Sequence, residues 1–167
     1  MSEHERRFFE KAHTMMPHLS VDIDLPAKQS ICKIAEAIFT SEKHSVLVVE
    51  FPEACLHPWL QVELVRGLFT YAIREKNMYI VYTTHSPYMV FSIPDVVEVL
   101  GKHADEIAAV YYVYKESDRL NIRKLDMDEF GYVTEFPEVA QLEADLWHRQ
   151  ITRYRSRGIK DVTEEDN

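Results

Sequence analysis

Two short stretches of this chain carry the side chains that could do chemistry. Glu50-Phe51-Pro52-Glu53 holds two carboxylates, and Thr83-Thr84-His85-Ser86 holds an imidazole among three hydroxyls. Paired carboxylates can hold a hydrated Mg²⁺ or polarise a water, and a neighbouring imidazole can donate to an anionic phosphate oxygen. Cys55 and His57 follow just after the first stretch. A zinc site from Glu53, Cys55, His57 and His85 is conceivable, although Cys-x-His lacks the second paired ligand set of a structural zinc site. His57 is read more simply as a cap on the helix that follows.

These groups are useful only if the fold brings them together. Ser45–Val49 is a short apolar run that ends at Glu50, and a long amphipathic pattern begins at Pro58. This reads as a buried strand over 46–50, an acidic loop, and a helix over about 58–75. That helix has Leu64, Val65, Leu68, Phe69, Ala72 and Ile73 on one face, with Glu63, Arg66, Thr70 and Arg74 opposite. Met78–Thr83 is a second strand. Strand, helix and strand over such a length form a βαβ unit with parallel strands, so Glu50 and His85 should emerge at the same sheet edge. Ligands in open α/β sheets sit at the carboxyl ends of the strands.

Elsewhere the pattern predicts a charged helix over 3–16, with Phe8, Phe9, Ala12 and Met15 or Met16 as its apolar side. A second helix over 26–40 starts at Asp22-Ile23-Asp24-Leu25-Pro26. Residues 88–93 form one or two helical turns, and 96–100 and 107–114 are strand candidates. Residues 120–125 return as a hairpin partner, Gly131 marks a turn, and a last helix from about 137 carries Leu142, Leu146, Trp147, Ile151 and Tyr154. Tyr111, Tyr112 and Tyr114 could stack on bases, but alternating burial in a strand explains them more simply.

The 167 residues fit one domain, which at this size buries roughly 70% of its unfolded surface. Residues 1–20 form the N-terminal helical segment, 25–140 the core, and 141–167 a helix and charged tail. With no apolar run long enough to span a bilayer and no signal-peptide pattern at the start, the expected location is the cytoplasm, away from any membrane. A net charge of −9 does not indicate a nucleic-acid partner. The basic cluster Arg149, Arg153, Arg155, Arg157 and Lys160, with the acidic Glu164-Glu165-Asp166 nearby, reads as a solvated helix face. Cys32 and Cys55 are expected to be buried thiols of a reducing compartment.

Residues 50–58, EFPEACLHP, resemble the DEPExxLHP stretch, and residues 83–90, TTHSPYMV, resemble the TTHSPxLL stretch, of ABC-type ATPases in the SMC and OLD-like branch. Those proteins bind ATP between two head domains. Leu25-Pro26-Ala27-Lys28-Gln29 is similar to a degraded signature motif at a helix start, and Asp128–Tyr132 looks like the family's C-terminal strand-to-turn segment. The resemblance covers roughly residues 25–140. It implies a truncated P-loop NTPase-like α/β fold, a three-layer core with parallel strands followed by a β-hairpin and a helix. It also implies Glu50 in the Walker B place as the Mg²⁺ ligand, His85 as the switch histidine that senses the γ-phosphate, and Thr84 and Gln29 as further phosphate contacts.

The departures limit what the resemblance carries. No GxxxxGK[ST] occurs, and Gly67, Gly101, Gly131 and Gly158 are scattered singly, so the chain cannot build the backbone cradle for phosphates. Phe51 occupies the place of the catalytic glutamate, leaving Glu53 as the substitute base beside His85. Pro26 and Ala27 replace the signature serine and glycine. The resemblance then implies a subunit that joins a composite site for Mg²⁺ and ATP with a P-loop-bearing partner. A missing half would leave a strand edge and apolar surface for a partner or for self-association. Two other readings stand beside it: an inactive interaction or regulatory module that dimerises through its exposed edge, and a metal-dependent hydrolase built on Glu50, Glu53 and His85.

Overall fold

The computed structural model describes residues 2–17, 19 and 23–134. The expected helix from 137, the basic cluster and the acidic tail lie outside the described residues. So does Asp22 of the proposed helix start.

The chain opens with α1 (Glu3–Met15), started by a capping box in which the Ser2 hydroxyl and the Glu5 carboxylate satisfy each other's backbone N–H. These hydrogen bonds, first of all the one from the Ser2 backbone, lower the Glu5 pKa. α2 (Leu25–Thr40) follows. Asp24 caps it by accepting from the Ala27 N–H at 3.0 Å, and Pro26 sits in the first turn, where a missing N–H costs nothing. The far end of α2 is held by Lys76, whose Nζ donates to the carbonyls of Ile38, Phe39 and Ser41 at 2.7, 3.0 and 2.6 Å. Positive charge at a helix C-terminus suits the macrodipole as well as the orphan carbonyls.

β1 (Val46–Glu50) and β2 (Tyr79–Thr83) pair in parallel, with Val46 opposite Tyr79 and Glu50 opposite Thr83. Between them the expected single helix is three segments: α3 (Pro58–Glu63), a π-helical stretch Leu64–Phe69, and α4 (Thr70–Lys76). The Thr70 hydroxyl donates to the Val65 carbonyl at 3.0 Å, spanning the wider turn. The expected polar side is corrected in part. Arg66 and Arg74 are exposed as anticipated, but Glu63 and Thr70 are buried. Leu64, Leu68 and Phe69 still join Phe8, Phe9, Ala12, Met16, Ile31, Ile34 and Ile38 in the main core. Full burial of each large apolar side chain contributes about 1.5–3 kcal/mol.

α5 (Pro87–Phe91) leads into α6 (Ile93–Leu100), where a strand was expected over 96–100. α7 (Ala104–Ile107) takes the first residue of the expected 107–114 strand, which lies instead at β3 (Val110–Glu116). β3 and β4 (Arg119–Leu125) form an antiparallel hairpin turned at Ser117 and Asp118, both in left-handed backbone. Beyond it Gly131, at φ +93, does mark a turn, and a Cβ there would meet Val97 and Ile93 side chains at 3.0 and 3.2 Å.

The fold is mixed α/β, with a small parallel sheet and a separate hairpin. Leu47, Val49, Ile80 and Tyr82 pack one sheet face on the helical core. The other face, with Val46, Val48, Tyr79 and Val81, is exposed, so the expected third layer is not among the described residues. No helix among them is long and apolar enough to cross a membrane.

Candidate functional site

The parallel register places the two chemical stretches side by side at the carboxyl end of the sheet, as the βαβ reading required. The ladder runs one step past β1, where the Phe51 N–H donates to the Thr83 carbonyl at 3.0 Å. Phe51 then turns sharply with φ +48, a left-handed conformation uncommon for a bulky residue. Its ring stacks on the His85 imidazole, centroids 4.8 Å apart and planes at 22°. Cys55, at φ +66, closes the second bend of the loop and is exposed, whereas Cys32 is buried as expected.

Glu53 ties the loops together. Its Oε1 accepts from the His85 backbone N–H at 2.8 Å, while Oε2 is buried and has no hydrogen-bond partner. Pinning the backbone of His85 in this way fixes where its side chain begins. Thr84 contributes a local turn, its Oγ1 accepting from the Ser86 N–H at 2.9 Å. Ser86 in turn caps α5 through the Tyr88 N–H at 3.2 Å, and its hydroxyl donates to Gln61 Oε1.

Gln61 is a connecting residue that the sequence reading missed. It is buried on α3, and its amide also donates to the Leu56 carbonyl at 2.8 Å, so one side chain joins both loops to the helix between them. A lone amide amid Leu60, Leu64 and Val65 was the available signal, since a buried polar group must find partners. Beneath the loops the Tyr82 hydroxyl donates to the Met89 carbonyl at 3.2 Å. Burial first, and then the negative charge of Glu53, push its pKa up to about 12. His57 caps α3 as expected, its Nδ1 accepting from the Trp59 N–H at 3.4 Å.

Glu50 is exposed, and its carboxylate makes no hydrogen bond or ion pair among the described residues. One open carboxylate fits a Mg²⁺ that keeps most of its waters and shares the phosphates of a nucleotide; it does not make an all-protein cage. Among the described residues no three His, Cys, Asp or Glu side chains gather to hold a metal ion. Neither the Glu50-Glu53-His85 hydrolase nor the zinc reading therefore has a preassembled ligand set. Gln29 is exposed in the first part of α2, on a different element, without a hydrogen bond to the Glu50, Glu53 or His85 loops.

No family model, curated protein or solved structure matches this chain.

Proposed function

We propose that this chain contributes half of a composite nucleotide site, in the manner of the C-terminal half of an ABC-type ATPase head, with the P-loop supplied by another chain. The observation that carries this reading is the juxtaposition of the Glu50–Glu53 and Thr84–Ser86 loops at one sheet end, bonded to each other through Glu53. In this role Glu50 holds the Mg²⁺ that accompanies ATP, and the His85 imidazole donates to the terminal phosphate. Thr84 and Gln29 approach the phosphates from their own elements. Glu53 positions His85 through its backbone and is the substitute for the missing base. Mg²⁺, when bound, supplies charge neutralisation at the phosphates.

The test is nucleotide binding and turnover by the purified chain, alone and with a P-loop-bearing protein that copurifies with it. A gain on mixing that is lost in Glu50→Gln and His85→Ala supports the site; no gain with any such partner removes it.

A second reading is favoured by one specific observation. Phe51 stands where a catalytic base is needed and covers one face of His85. A phenyl ring can neither accept a proton nor orient a water, so the module would bind or regulate without hydrolysing. Unchanged function of the complex after both substitutions would support this reading.

A further inference from the structure

The described chain leaves two apolar sheet faces uncovered, and the two are matched in form. On the parallel sheet, Val46 lies opposite Tyr79 and Val48 opposite Val81, with exposures of 60, 70, 70 and 54% for Val46, Val48, Tyr79 and Val81. On the hairpin, Tyr111 lies opposite Lys124, Val113 opposite Ile122 and Lys115 opposite Leu120. There Tyr111, Val113, Leu120 and Ile122 are 59, 52, 73 and 66% exposed. Each face is two strands wide, with four large apolar side chains at its centre. A two-stranded ribbon is marginal in water unless its apolar face is covered, and contiguous exposed apolar patches mark interaction sites.

Charge separates the faces. The hairpin carries Lys115, Arg119, Arg123 and Lys124 against Glu116 and Asp118, in a chain whose net charge is −9. It is a basic segment on an acidic molecule. Lys115 and Lys124 share the apolar face of the hairpin, whereas the parallel sheet ends in Glu50 on its open face. Among the described residues, Val110 at the base of the hairpin packs on the small cluster of Ile93, Val97 and Ala104.

We propose that the occupant of each face is the other face in a second copy of this chain. The hairpin of one copy lies over the open parallel sheet of its partner, and the exchange is reciprocal. Sheets pack face to face at about 10 Å through such interdigitated apolar side chains. Reciprocity gives two equivalent contacts about a two-fold axis, a closed dimer rather than a filament. Lys124 on one face meets Glu50 at the end of the other, while Lys115 is paired with Asp118 of its own hairpin at 2.6 Å, and this sets orientation. The stacking uses the faces and leaves the edges of β1 and β2 free; it draws on Glu50, which the composite-site reading also uses, but its apolar contact does not depend on that reading.

Sedimentation velocity on the full chain tests this. The wild type is expected to dimerise, more weakly as salt rises. Val48→Glu and Val113→Glu, both at exposed positions and so expected to leave the circular dichroism unchanged, should each raise the dissociation constant by about 100-fold or more, because each puts a carboxylate into the apolar contact. In a Cys55→Ser background, mixing V48C copies with V113C copies and oxidising with diamide should form a disulfide between different chains. A chain that stays monomeric at all concentrations overturns the proposal, as do a dimer indifferent to both substitutions and a disulfide that closes within one chain carrying both V48C and V113C. The first would mean that another protein covers the faces, and the last that the chain covers its own sheet.

Discussion

Glu53 lies three residues beyond the end of β1, yet it acts on β2's loop. Its carboxylate accepts from the His85 N–H at 2.8 Å. A hydrogen bond to a charged acceptor contributes about 1.5–3 kcal/mol, so Glu53→Ala should raise local exchange of the His85 amide at least about tenfold, measured by hydrogen exchange. Glu53→Gln keeps an acceptor oxygen and should retain most of the protection. Tyr82 gives a second test. Its pKa is raised to about 12 by burial and by Glu53, so the folded state keeps the phenol proton that the unfolded chain loses near pH 10. Stability is complete below pH 10 and falls by about 1.4 kcal/mol per unit between pH 10 and 12. Tyr82→Phe should flatten this part of a denaturation series. The side chains with reactive chemistry were legible in the sequence because their types declare it. The bond from Glu53 to a backbone N–H, the buried Gln61 and the stacking of Phe51 on His85 were not, because each depends on how two loops face each other.

Among the elements, β1 was legible residue for residue, and α2 and β2 within one residue, since apolar runs and caps coincide there. α6 was not. Its Val96, Val97 and Val99 are β-branched and invite a strand, yet Pro94 in the first turn and Gly101 at φ +62 just past the end are helix punctuation. Packing of Ile93, Val96 and Val97 at helical spacing outweighs propensities of a few tenths of a kcal/mol per residue. The π-helical stretch was equally invisible, since an added residue per turn leaves no mark in an apolar stripe. Within it lies Gly67, where the end of α1 approaches so closely that a Cβ would meet the Met15 carbonyl carbon and Met16 Cγ at 2.9 Å. Gly67→Ala must push backbone apart, and should destabilise by about 3 kcal/mol in urea denaturation. The Arg66–Asp95 pair between this stretch and α6, at 3.3 Å and half exposed, contributes at most about 1 kcal/mol.

At the scale of the molecule, the described residues put helices on one face of the parallel sheet and leave the other exposed, and the hairpin forms a separate sheet. Alternation in β1, β2 and β3 showed which residues share a face but not which face is covered, because coverage depends on what packs against each face. The same incompleteness marks the site: an exposed Glu50 and a pinned His85, with no glycine-rich cradle in the chain. In the proposed site these residues complete a nucleotide pocket whose phosphate cradle another chain supplies. The most direct measurement is Mg²⁺-ATP binding, by calorimetry, to this chain, to a copurifying P-loop protein, and to their mixture. The account predicts that the mixture binds at least about tenfold more tightly than either protein alone, and that Glu50→Gln and His85→Ala each abolish the gain. A mixture that binds no better than the P-loop protein alone, or a gain that survives both substitutions, would contradict it.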